Sequence, residues 1–190
     1  MHQAALDFRS YYNRQPLTLE HLLDDSLAEI SPFLQHRRTD LGYLVEVVAQ
    51  IKRQLQDLPK DPPFWGICWG DPHSGNAHFT RDNQVTLFDF DQCGYGWRAF
   101  DIAKFLQVSL RTGISKNVRD AFLSGYQGLQ KLAEWELDSL QALTQTAHIW
   151  MLMINFNAAK THDWSRLDDI YITHRLEQLK GLKSHDWQLF

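Results

Sequence analysis

The hydrophobic pattern of this chain changes period twice, and the two changes bound what it can fold into. Before residue 59 and after Phe100 the apolar residues recur at three- and four-residue steps, as on one face of a helix. From Trp65 they come instead in short runs separated by turn residues. In the first part, residues 2–13 and 18–30 read as short helices, and "TDLGYLVEVVAQIKRQLQDL" reads as a longer one. Leu41, Leu44, Val45, Val48, Ile51, Leu55 and Leu58 make its apolar stripe, Thr39 is its expected N-cap, and "PKDPP" ends it. In the last part, segments near 101–112, 116–134 and 166–182 keep the helical period. There Leu137, Leu140, Leu143, Ala147, Trp150 or Met151, Ile154 and Ala158 form one long stripe. The middle reads "WGICW", "NAHF", the turn "TRDNQ" and "VTLFDF", rich in β-branched and aromatic residues, and predicts a small β-hairpin region. The expected fold class is mainly α (α+β), with the polar loops mounted on a helical body.

At 190 residues and 44% hydrophobic the chain can build one core that buries about 70% of its unfolded surface, so residues 1–190 are expected to form a single soluble domain. The net charge of -4 and the scattered Lys and Arg residues leave no nucleic-acid footprint and favour a cationic or neutral small-molecule partner. Residues 1–30 carry acids throughout and no continuous apolar run, so no signal peptide and no membrane span is expected, and the compartment is expected to be the cytoplasm. Cys68 and Cys93 have no second pair of cysteines, which fits neither a disulfide framework nor a zinc site, and buried free thiols are expected.

"WGDPHSGNAHF" sets Asp71, His73 and Asn76 within six positions, with Gly70 and Gly75 to let the backbone turn. Downstream, "TLFDFDQCGYGWRAFDIAKFL" runs an apolar strand into Asp89 and Asp91. Alternate positions on a strand would deliver both carboxylates to the same side. Such hard oxygens suit Mg²⁺, which takes one or two carboxylates and fills its other sites with water and phosphate oxygens, and the amide oxygen of Asn76 is a further ligand candidate. Asp71 is then free of the metal and placed to accept a proton from a substrate hydroxyl. Taken singly, Asp71 and Asn76 also suit a turn capped by short polar side chains, and Asp89 and Asp91 a solvated strand end. A metallophosphoesterase would share the Asp-x-His of "GDPH", but its further histidine ligands are missing from this sequence.

The ordered set "WGDPHSGN", then "DFD", then "GYGWRAFDIA" resembles the aminoglycoside phosphotransferase and choline kinase superfamily, relatives of the protein kinases. The resemblance spans roughly residues 1–182, and its specific part is Trp69 to Ala103. It implies a protein-kinase-like C-terminal lobe, a helical bundle whose small β-hairpin carries the catalytic and metal loops within 65–103. It implies that Asp71 is the catalytic base, that Asn76 and Asp89 hold Mg²⁺, and that Asp91 assists with a second metal or the substrate. It also implies that His73 shapes the loop and that Asp101 ties the catalytic loop to the following helix. Trp69 stands where the family usually has a histidine.

The family's N-terminal lobe, with its glycine-bearing loop and strand-borne lysine, has no counterpart before Trp65, where only helical patterns occur. The chain is therefore expected to be the C-terminal lobe with the N-terminal lobe absent. The resemblance implies an ATP-dependent phosphotransferase acting on a small-molecule hydroxyl, truncated or split, with no cofactor-binding residues of its own and inactive alone. ATP would serve as phosphate donor only with a completing N-lobe, supplied by another polypeptide or replaced by self-association at an apolar face near the first helix and "GICWGD". The alternative is a kinase-lobe relic acting as a binding module. Substrate choice would fall to the helices after residue 115, where Glu134, Glu136, Asp138, Asp163, Asp168 and Asp169 could attract an amine, a solvated face explaining them equally well. His78, His148, His162, His174 and His185 show no ligand spacing.

Overall fold

In a computed structural model, residues 1–9, 11, 14–82, 84–162 and 167–184 of the chain are described. They fall into two compact units: Met1–Leu17 with Pro59–Leu140, and Thr18–Leu58 with the residues from Gln141 onward.

The first unit holds all four strands of the described residues. Strand β1 (Trp65–Cys68) pairs antiparallel with β4 (Gly94–Trp97), in the register Trp65 opposite Trp97 and Cys68 opposite Gly94. Between them in sequence, β2 (Ala77–Phe79) and β3 (Val85–Leu87) form a separate hairpin, with Ala77 opposite Leu87. Two of the four residues of β4 are glycines, which carry no strand signal. The glycines answer to packing. Leu17 donates its N–H to the Tyr95 carbonyl at 2.7 Å, and a Cβ on Gly96 would lie 2.9 Å from the Leu17 Cβ. The two indoles of Trp65 and Trp97 meet edge to face at 4.8 Å, and Trp97 Nε1 donates to the Pro59 carbonyl at 2.8 Å.

Helix α3 (Arg98–Thr112) follows β4 directly and ends on Gly113, whose φ of 74° is the left-handed conformation glycine adopts without strain. It is buried from Arg98 to Ser109, so its polar residues need partners inside the protein. Helix α4 (Lys116–Leu129) and the first residues of the long helix α5 (Glu134–His162) complete the unit. Of the helix expected over 2–13, the described residues show one 3₁₀ turn, Gln3–Ala5.

In the second unit, a π-helical turn at Glu20–Asp25 runs into helix α1 (Ser26–Ile30), followed by a 3₁₀ turn over Ser31–Leu34 with a proline at its start. Helix α2 (Arg38–Leu55) buries Leu44, Val47, Val48, Ile51 and Leu55, while Val45 is exposed, so its core stripe is rotated from the one expected. Arg37, not Thr39, occupies the N-cap, and its guanidinium Nε donates to Asp40 Oδ2 at 2.7 Å. In this unit α5 buries Leu143, Ala147, Ile149, Trp150, Leu152 and Phe156, whereas Ala158 is exposed. The buried polar residues of α5 are accommodated: His148 Nε2 bonds the Arg175 carbonyl and Gln145 reaches the Leu182 carbonyl. Helix α6 (Asp169–Leu182) begins with Asp168 accepting from the Tyr171 N–H at 2.7 Å. Asp163, His185 and the side chain of His162 lie outside the described residues. No helix among the described residues is long and apolar enough to cross a membrane.

Candidate active site

The site lies within the first unit and grows from the end of β1. There the backbone must turn away from the sheet, and Gly70 makes the turn at a φ of 83°. A Cβ on Gly70 would also collide with the Gln92 carbonyl, so two constraints demand glycine at one position. The turn is fixed from beneath by α3. Asp101, in its first turn, is buried and accepts the Trp69 N–H at 2.7 Å on one oxygen and the Gly70 N–H at 2.8 Å on the other. His2 Nε2 sits 2.8 Å from Asp101 as well. The tie between this loop and the following helix implied for Asp101 is therefore present. Replacing Asp101 by asparagine turns an amide NH₂ toward one of these buried N–H groups, and is expected to cost about 1–3 kcal/mol in a denaturant melt.

Beyond the turn, Asp71 is largely covered, with its side chain 14% exposed. Its two oxygens meet different surroundings. Oδ2 faces Asn76 Nδ2 at 3.4 Å, His73 Nε2 at 3.4 Å and Gln92 Nε2 at 3.5 Å. Oδ1 is buried and faces Lys104 Nζ on α3 at 3.5 Å. His73 Nδ1 accepts from the Gly75 N–H at 3.0 Å and so caps the 3₁₀ turn Ser74–Asn76. With Nδ1 used as acceptor, the neutral ring carries its proton on Nε2, toward Asp71.

Asn76 is buried and joins the two loops of the site. Its Nδ2 also donates to the Asp71 carbonyl at 3.2 Å, while its own carbonyl accepts the Phe88 N–H at 3.1 Å. Because the amide nitrogen is committed to Asp71, the atom Asn76 can offer a cation is its oxygen. Asp89 follows Phe88 and is exposed, with a φ of 58°. Asp89 and Asp91 do not share the face of a strand as expected. β3 ends at Leu87, Asp89 is in the left-handed conformation, and the two carboxylates do not extend a strand. Asp91 is exposed, and its carbonyl and that of Phe90 accept from Arg14.

Trp69, the departure at the usual histidine position, is buried, and its indole Nε1 donates to the Phe88 and Asp89 carbonyls at 3.1 Å each. Its ring packs against Phe90 at 5.9 Å. The indole thus fastens the loop that presents Asp89 to the loop that presents Asp71.

Sequence reasoning missed Lys104 and Gln92. The available signal for Lys104 was a lone cation inside the otherwise apolar stretch "IAKFL"; for Gln92 there was none. Glu136, read as a substrate-facing acid, is buried in a two-point pair with Arg98, Nε to Oε1 at 2.7 Å and Nη2 to Oε2 at 2.6 Å. Glu134, Asp138, Asp168 and Asp169 are exposed. Asp169 pairs with His36 and Arg37.

A tighter group of ligand-type side chains among the described residues is His2, Cys68 and Asp101, with ligand atoms within 4.8 Å of one another. Hydrogen bonds account for it. The Cys68 thiol lies 3.2 Å from the Trp97 carbonyl, and burial pushes its pKa up, which keeps it protonated. Both cysteines are free thiols.

The family model described as "Phosphotransferase enzyme family" matches residues 1–135. An uncharacterized protein of Synechocystis sp. is 56% identical over the whole chain, which covers 53% of that protein. A solved amicoumacin kinase, in complex with AMP-PNP, Ca²⁺ and Ami, superimposes with a TM-score of 0.69 at 20% identity, covering 96% of this chain and 55% of that one. A microcompartment-associated aminopropanol kinase gives 0.67 at 18% identity, covering 95% and 56%. The chain spans about half the length, or less, of the curated relatives it matches. Their fold is the kinase-like one expected of the motifs, and the chain belongs to the phosphotransferase enzyme family.

Proposed function

We propose that this chain carries the catalytic half of an ATP-dependent phosphotransferase whose acceptor is the hydroxyl of a small molecule. The observation that carries the reading is Asn76, whose side chain holds Asp71 and whose carbonyl holds Phe88, next to Asp89. One buried residue thus ties the loop of Asp71 to the backbone just before Asp89, which supports a base and a metal site built from these loops. Asp71 accepts the proton of the acceptor hydroxyl through Oδ2 as that oxygen bonds to the γ-phosphorus of ATP and the bond from that phosphorus to the departing ADP breaks. The Asn76 amide oxygen and the Asp89 carboxylate fit Mg²⁺, a hard cation that takes oxygen ligands, and these two residues would hold it. When bound, the metal supplies charge neutralisation on the phosphate oxygens. His73 and Trp69 keep the two loops in shape.

The acceptor proposed is an amino-alcohol. The name of the aminopropanol kinase and the chain's net charge of -4 both support a cationic partner. The part that covers the nucleotide comes from outside these residues, as the share of the relatives' length supports. A partly exposed apolar run at Phe79, Val85, Phe88 and Phe90 supports a partner at the β2–β3 hairpin, whereas Cys68 and Trp69 of "GICWGD" are buried. We assign the protein to the cytoplasm, in keeping with its free thiols.

The test is a hybrid in which this chain replaces the matching segment of the Synechocystis relative. Given ATP, Mg²⁺ and a panel of amino-alcohols, aminoglycosides, choline and sugars, the hybrid is expected to release ADP at roughly 1 s⁻¹ or more with at least one acceptor. The 190-residue chain alone is expected to fall far short of that. A folded hybrid that turns over none of them would leave the lobe as a binding module.

A further inference from the structure

Lys104 is the one lysine on α3, and its side chain is fully buried. Stability does not explain it. Apolar residues of similar volume usually serve a buried site as well as or better than an ion pair does, and α3 around it is already lined with Phe100, Ile102, Phe105 and Leu106. What distinguishes the position is what the ammonium faces. Nζ lies 3.5 Å from Asp71 Oδ1, the oxygen turned away from Asn76, His73 and Gln92. That oxygen is buried and accepts no hydrogen bond among the described residues, so the Lys104 charge is what compensates it.

We propose that Lys104 is a positioning residue for phosphoryl transfer: a buried ammonium that holds Oδ1 of Asp71 from behind, leaving Oδ2 as the edge that takes the acceptor proton. The inference rests on Asp71 being the base. A carboxylate anchored at one oxygen has one productive orientation, and misplacement of a reacting group by an ångström can cost about 10²-fold in rate. Burial pulls the Lys104 ammonium down to about 8; Asp71 and, more weakly, Asp101 raise it, and Arg111 lowers it. At neutral pH the ammonium form therefore predominates.

Two measurements test this. In the hybrid, Lys104→Met is expected to lower kcat by about 10- to 10²-fold with little change in KM for the acceptor, and Lys104→Arg to restore part of the loss. In an Asp71→Asn background, Lys104→Met is expected to add nothing, because a residue acting only through Asp71 has no further effect once Asp71 is gone. In the 190-residue chain, the Lys104 Cε resonance is expected to titrate at lower pH in Asp71→Asn than in wild type, since a neighbouring anion is lost. Full kcat in Lys104→Met, alongside a crippled Asp71→Asn, would overturn the role of Lys104 and leave the base in place. A further drop in the double variant would overturn it too. If Lys104→Met does not fold, an unshifted Lys104 titration in Asp71→Asn overturns it. Undiminished transfer by Asp71→Asn would instead remove the base, and with it the reading on which Lys104 depends.

Discussion

Replacing Asp71 by asparagine in the hybrid is expected to lower phosphoryl transfer by about 10²- to 10⁴-fold, the range for loss of a general base. Asparagine has the same shape, so the contacts of Asp71 with His73, Asn76 and Gln92 lose their charge but keep their atoms. What is lost is a lone pair basic enough to take a proton from a hydroxyl in the transition state. The fold should persist, because the side chain contributes no apolar burial. Lys104 loses its nearest anion and responds by giving up its proton at lower pH, not by unfolding the loop. A thermal melt should therefore show a loss of no more than about 4 °C, equivalent to 1–2 kcal/mol in a chain of this size. A collapse of the melt would mean that Asp71 is a structural anchor instead.

The second large effect is on stability. Glu136 and Arg98 form a two-point pair with side chains 1% and 4% exposed, and the pair also organises its surroundings. Glu136 Oε2 accepts the Ala133 N–H at 2.8 Å, and Arg98 donates to the Lys131 carbonyl at 2.9 Å. Glu136→Ala leaves a buried guanidinium without its anion and is expected to destabilise the chain by about 3–5 kcal/mol, the usual penalty for breaking such a pair. That corresponds to a fall in Tm of about 6–20 °C. The double replacement Arg98→Met with Glu136→Leu removes both charges and is expected to recover most of the loss. Arg98 opens α3 three residues before Asp101, so the single variant should also loosen the loop that carries Asp71. A double variant as unstable as Glu136→Ala would show that the hydrogen bonds to Lys131 and Ala133, not the unpaired charge, dominate.

How much of this was legible depended on whether the signal was local. The loop from Trp69 to Asn76 was readable because its glycines, acid and amide must work within a few residues of one another, and the structure brings Asp71, His73 and Asn76 into contact. Helices α2 and α5 were readable because burying one face imposes a period, though on α2 the period left Val45 and Val47 indistinguishable. Strand β4 was not readable. Its pairing with β1 closes over a long loop, and Gly94 and Gly96 are selected by the close approach of residues 15–17, not by strand propensity. The strand placement expected of Asp89 and Asp91 failed for a related reason. Alternation is a property of strands, and one residue in the left-handed conformation breaks it. Lys104 looked like a stray charge because its partner lies on another element, and Glu136 looked like a surface acid because nothing local announces Arg98.

The measurement that bears most directly on the account is the fate of the γ-phosphate. ³¹P spectra of the hybrid, taken with ATP, Mg²⁺ and an acceptor that supports turnover, are expected to show a phosphoester growing in step with ADP. In Asp71→Asn both signals should be absent on the same time scale. Inorganic phosphate growing in place of the phosphoester, or a phosphoester formed as fast without the Asp71 carboxylate as with it, would contradict the assignment of this site to phosphoryl transfer.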